Sequence, residues 1–218
     1  MIKFRCLFIL WLALFMAGCA NNMALKKGQD SVDLSNGAIA LLSVRISNQN
    51  EPSHQPLIVG AYTMRQSKTT FHRTRNAYKK EGDDFKEQLL SFELEPGINN
   101  FIKLWATCPD LVLVTTFASI PLNLDADIKP NSVNYLGHID VKIRKKKNDG
   151  EESAGPAFPY TVGNAAAGFL TGTYDVVIED KFDEDMKTFI SEYPALQKVK
   201  VEKSILPQWI RPENQPAK

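Results

Sequence analysis

The stretch IKPNSVNYLGHIDVKIRK, residues 128–145, decides the fold class. Val133, Tyr135, Gly137, Ile139, Val141 and Ile143 fall at every second position, and most residues between them are polar or charged. Successive side chains of a β-strand point to opposite faces, so a period of two predicts a strand with one face buried. The same period places His138 out of phase with Tyr135 and Ile139, on the polar face.

The signal recurs on both sides of this stretch. GAIALLSVRIS (37–47) is β-branched and alternates at Leu42, Val44 and Ile46. NQNEPSHQP (48–56) is turn chemistry, and LIVGAYTMR (57–65) and KTTFHRTRNAY (68–78) read as further strands. KKEGDD (79–84) reads as a charged loop. QLLSFELEPGINNFIKLWATC (88–108) reads as the clearest hairpin, with Pro96 presetting φ and Gly97 permitting a positive φ at its turn. LVLVTTFASIPLNLD (111–125) is long enough to bend or break at Pro121, and TGTYDVVIEDK (171–181) and VKVEKSIL (199–206) close the set. One helix stands out. Asp183, Glu184 and Asp185 complement the dipole at its start, Met186, Phe189, Ile190 and Tyr193 share one face, and Pro194 ends it. Roughly seven to nine short strands and one late amphipathic helix predict a mainly β chain, an antiparallel β-sandwich. A doubly wound α/β fold would need strand–helix alternation, which is absent.

The N-terminus carries a second message. Lys3 and Arg5 precede 13 uncharged residues, from Cys6 to Gly18. A membrane-spanning helix needs roughly 20 apolar residues, so this run is too short to span, but it fits the apolar region of a secretory signal. An ordinary cleaved signal peptide or an uncleaved anchor are the alternatives. Met16-Ala17-Gly18-Cys19 resembles the lipobox of bacterial lipoproteins, whose pattern is Leu-Ala/Ser-Gly/Ala-Cys, with Met here in place of Leu. The resemblance implies a diacylglyceryl group on the Cys19 thiol, cleavage before Cys19 and acylation of the new amine. It also implies the outer membrane, because Ala20 stands where an Asp would signal inner-membrane retention. Each buried acyl CH₂ contributes about 0.8 kcal/mol, so two or three chains anchor a protein firmly.

The expected organisation is a signal peptide over 1–18, a lipidated polar tether over 19–36, one sandwich domain over 37–206 and a mobile Pro-rich tail over 207–218. Within the domain, FELEPG, IKPNSVNYLGHIDVKI and YDVVIEDKFDEDMKTFISEYPAL resemble short motifs of a loosely defined group of bacterial envelope lipoproteins. That resemblance implies a β-sandwich and no particular activity.

Composition narrows the function classes. The chain has 218 residues, 44% of them hydrophobic, with 12 Phe, which supports a sizeable core. Its net charge is +1, and loss of residues 1–18 takes away Lys3 and Arg5 and no acid, leaving 24 basic against 25 acidic side chains. Such neutrality gives no argument for nucleic acid. Cys6 goes with the leader and Cys19 ends it, so Cys108 is the one cysteine of the body and no internal disulfide framework is expected.

No catalytic, metal or cofactor constellation emerges. His54, His72 and His138 show no metal-ligand spacing, and Ser67 and Ser204 lie in no nucleophile motif. Cys108 reads as a small buried hydrophobe rather than a nucleophile. Asp180 to Asp185 lacks the Gly and closing Glu of a calcium loop and reads as helix-capping chemistry. KIRKKKNDGEE (142–152) reads as a solvated hairpin tip, with contact to anionic lipid as the alternative. GEESAGPAFPYTVGNAAAGFLTG (150–172) is long, apolar and without period. Either Phe158, Tyr160 and Phe169 form a partner contact, or the segment plugs one end of the sandwich. These readings converge on a lipid-anchored envelope protein that binds or scaffolds, with the bilayer as partner through Cys19, an envelope protein as a further partner and no cofactor. An accessory subunit of a secretion or transport assembly, docking through residues 150–172, is the first alternative. A hydrolase of envelope polymers is the least favoured.

Overall fold

The computed structural model describes residues 20–21, 23–35, 37–75, 77–111, 113–156 and 161–211. The chain is mainly β and forms two stacked sheets. Sheet A runs β1(Ala20–Asn21), β4(Lys68–Arg73), β3(Leu57–Arg65), β7(Gly97–Thr107), β8(Ala118–Ile128). Sheet B runs β10(Gly172–Glu179), β9(Val133–Lys145), β2(Ala38–Asn48), β6(Lys86–Leu94), β5(Tyr78–Glu81), with β11(Val201–Lys203) also on β9. Helix α1 is Val162–Ala166 and α2 is Phe182–Glu192, followed by a 3₁₀ turn, Pro194–Lys198.

The sandwich is not wholly antiparallel. The central β2–β9 pair of sheet B is parallel, as are β1–β4 and β11–β9. The predicted hairpin at Pro96-Gly97 is instead a crossing between sheets: β6 pairs with β2 and β5, whereas β7 pairs with β3 and β8. A Pro-Gly turn reverses or redirects a chain equally well, and local sequence does not say which sheet receives the next strand. The charged KKEGDD stretch begins inside β5, and the segment expected to be extended from residue 111 starts its strand only at Ala118. Pro121 does not end the edge strand β8, but the β7–β8 register shifts between Pro121 and Leu124, where Asn123 has φ 52.

The regular alternation of residues 133–143 is broken where it looked best. Gly137 has φ +115, and the β2–β9 register shifts there, between Leu41 and Ser43. Such a bulge inserts one residue and exchanges the two faces of the strand. Val133 and Tyr135 therefore face α2, in a cluster with Leu41, Leu89, Met186, Phe189, Tyr193 and Leu196. Beyond the bulge Ile139, Val141 and Ile143 face sheet A, in the main core with Leu42, Val44, Phe92, Phe101 and Leu104. Where α2 lies against it, sheet B is thus buried on both faces, whereas Lys142 and Val177 farther along are exposed.

The two chain ends close the two open sides of the sandwich. Met23 enters the core between the sheets and Leu25 the layer under α2. Between them the Ala24 N–H donates to the Ser91 carbonyl at 2.9 Å, and the Leu25 N–H to Ser91 Oγ at 2.9 Å. The expected polar tether is therefore packed against the body from Met23 onward. Apolar residues Met23, Leu25, Val32 and Leu34, diluted among polar ones, carry no period that would announce this. On the opposite side Trp209 Nε1 donates to the Pro121 carbonyl of β8 at 3.0 Å, and Gln208 Nε2 to the Ile178 carbonyl of β10 at 2.7 Å. Residues 207–211 of the expected tail are thus fixed.

Candidate functional site

Cys19, Phe158 and Tyr160 lie outside the described residues. Phe169 does not serve as an exposed contact: it is fully buried in the main core. The described parts of 150–172 plug the sandwich. Thr161 caps α1 by accepting from the Asn164 N–H, and the Phe117 N–H donates to Asn164 Oδ1 at 2.7 Å. The Ser119 N–H donates to the Ala154 carbonyl at 2.7 Å, stitching the segment to β8. The basic run before it is partly neutralised from within. Arg144 pairs with Glu151 at 2.7 Å and Asp175 at 2.6 Å, and this guanidinium holds the Glu151 carboxyl down to about 2.

The three histidines lie in three separate places. His54 Nδ1 meets Asp110 Oδ2 at 2.6 Å on a loop. The Cys108 thiol beside it is buried, and burial with the nearby Asp110 charge raises it to about 12, so it stays protonated. His138 is buried rather than on a polar face, because the bulge at Gly137 turns it toward α2. There Tyr135 Oη donates to Asp185 Oδ2 at 2.6 Å, and His138 Nδ1 lies 3.3 Å from both carboxylate oxygens. Burial first, and Asp185 second, hold the Tyr135 phenol far above its ordinary range. Asp185 is therefore more than dipole complement, since it ties α2 to β9. Ser43 is the β2 partner of His138, but its buried Oγ and His138 Nε2 have no hydrogen bond. Ser43, His138 and Asp185 are all buried. Among the described residues no three of His, Cys, Asp and Glu gather into a metal-binding group.

Two of the accessible concavities flank β4, the strand on which Ala20 and Asn21 pair. Ala20 pairs with Phe71 and Asn21 with His72. Inward of β4, a cleft of about 320 Å³ is lined by Thr63, Arg65, Lys68, Thr70, His72, Glu93 and Asn99. The β3–β4 turn at its mouth places Gln66 and Ser67 at φ 48 and 66, the left-handed pair that a two-residue hairpin of this twist requires. His72 forms its floor. Its Nε2 shares a 2.8 Å hydrogen bond with Thr63 Oγ1, its ring lies 4.9 Å from that of Phe92, and its Nδ1 is buried without a partner. Burial pushes the imidazole down to about 4, so it is neutral near pH 7.

Outward of β4, a groove of about 420 Å³ has Leu57, Val59, Phe71 and Trp105 as its apolar floor and Arg73, Arg75 and Lys79 on its rim. Gly60 makes the floor flat, since a Cβ there would come within 2.1 Å of the Phe71 ring. Sequence reasoning missed both concavities. KTTFHRTR does alternate, with Phe71 and Arg73 on one face and Thr70 and His72 on the other, but nothing local shows that β4 pairs with Ala20 and Asn21.

Comparison with known proteins yields no matching family model, and no curated protein or solved structure of significant similarity. Among the described residues no helix is long and apolar enough to cross a membrane.

Proposed function

We propose that this chain is a lipid-anchored cell-envelope protein whose β-sandwich binds or scaffolds at the membrane surface, on the periplasmic side of the outer membrane. The observation that carries the reading is the path of the chain directly after Cys19. Ala20 and Asn21 add to the edge of β4, and Met23 and Leu25 are buried a few residues later. An acyl group on Cys19 would therefore hold the sandwich at the bilayer with almost no free tether, in a fixed orientation. The leader supplies the chemistry: a short basic start, an apolar run too short to span, and small residues before a cysteine. The polar cleft beside the anchor is lined by hydroxyl, amide, carboxylate and cationic groups over a buried neutral imidazole, a set suited to holding a small polar ligand.

Cys19→Ala tests the reading. The native protein is expected in the membrane fraction, with an intact mass above that of the polypeptide from Cys19 by the acyl groups. The variant is expected to lose that added mass and retain its leader. An unchanged mass and an unchanged fractionation would refute the anchor.

A further inference from the structure

We propose that the outer face of sheet A, centred on the groove over β3, β4 and β7, lies against an anionic phospholipid surface, the one that receives the acyl chains of Cys19. The inference rests on the lipid-anchored reading and adds to it a face, an orientation and a lipid charge.

The first support is position. Ala20, the residue bonded to Cys19, is in register with Phe71, and the Phe71 ring is part of the groove floor. Consecutive Cα atoms are about 3.8 Å apart, so the acylated sulfur cannot lie far from the groove. A sandwich tied to a bilayer at that point presents either the edge at β4 or the sheet face beside it.

The second support is composition. Phe71 and Trp105 are half-buried on the floor, and Tyr62 stacks on Phe71 with ring centroids 4.7 Å apart. The Lys103 ammonium lies 5.0 Å from the ring centroids of both Tyr62 and Trp105. Aromatic side chains with apolar bodies and polar tips belong at the level of lipid headgroups. Guanidinium groups bind phosphate through paired N–H donors.

The third support is charge. Arg73, Arg75 and Lys79 are exposed and have no ion pair among the described residues. Several other basic side chains are met by acids, as at Arg65–Glu95, Arg144–Glu151, Lys86–Glu81 and Lys203–Asp180, whereas these three cluster around one groove. An unpaired basic rim around an aromatic floor complements an anionic surface. Sheet B has α2 against its outer face, whereas no described helix or strand is laid over the outer face of sheet A.

The test uses the full chain purified from membranes and reconstituted into vesicles of phosphatidylcholine alone or mixed with phosphatidylglycerol, with brominated acyl chains. Trp105 fluorescence is expected to be quenched in the anionic vesicles, and Trp105→Phe should remove the quenched component. Each basic group at an anionic surface is worth roughly a factor of five. The triple variant Arg73→Glu, Arg75→Glu, Lys79→Glu should therefore shift the docked population by about 100-fold or more and return quenching to the phosphatidylcholine level. These side chains are exposed, so unchanged circular dichroism and melting should show that the variant folds. Quenching that is absent from anionic vesicles, or unaffected by the triple variant, overturns the inference. So does a crosslink across this face between two copies. The mass of the N-terminal peptide separates the two claims. Acyl mass without Trp105 quenching sinks the docking face alone, whereas quenching by vesicles without acyl mass sinks the anchor alone.

Discussion

Replacing Phe169 by alanine is expected to cost the fold about 3–5 kcal/mol, the usual range for truncating a buried Phe. In a chain of this size that lowers the melting temperature by roughly 10 °C. The reason is placement. The ring is fully buried in the main core, the Phe169 N–H donates to the Asn164 carbonyl at 2.9 Å, and the Gly155 N–H donates to the Phe169 carbonyl at 3.0 Å. A docking residue on a mobile loop would behave in the opposite way, with stability kept and a partner lost. Urea denaturation of the two proteins at pH 7 separates these cases. A change below about 0.5 kcal/mol, the usual size of a surface effect, would show that the segment is not a plug.

Lowering the pH from 7 to 4 is expected to remove about 3 kcal/mol of stability through His72 alone. Burial holds the folded imidazole at about 4, against 6.5 for the free side chain. Between those values the unfolded chain takes up a proton that the native protein refuses. Stability is therefore complete above pH 6.5 and falls as the pH drops through 4. The Glu151 carboxyl, held down to about 2 by Arg144, adds a separate loss from 4.5 downward. His72→Gln isolates the first effect. The variant should be less stable at pH 7, yet its stability should be flat between pH 6.5 and 4.5, where the native protein loses most of the His72 contribution. Equal slopes for the two proteins in that window would contradict a buried neutral His72.

The strands were legible and their partners were not. Leu57–Arg65 appears in the sequence with its final bounds, because both flanks carry turn residues and the interior is β-branched. The late helix was equally plain, since Met186, Phe189 and Tyr193 recur at helical spacing and all reach the buried layer. The pairing was hidden because period-two patterns say that a face is buried, not which sheet buries it. Residues 133–143 show the limit most clearly. One bulge at Gly137 exchanges the faces of the strand, and His138 passes from an expected polar surface to a buried contact with Asp185. The site was the least legible part. Phe71, Arg73 and Trp105 come from two strands that never pair, and the route from Cys19 to them runs through Ala20 and Asn21, two residues without a strand signal of their own.

The central claim is that a lipid on Cys19 meets the folded body without a free tether. Hydrogen–deuterium exchange of the membrane-bound protein, read by mass on the N-terminal peptic peptide, tests the claim in one measurement. The peptide should carry the mass of the acyl groups, and the amides of Ala24 and Leu25, both bonded to Ser91, should be protected like those of the sheets. A peptide without added mass, or one whose amides exchange at once like a free linker, would contradict it.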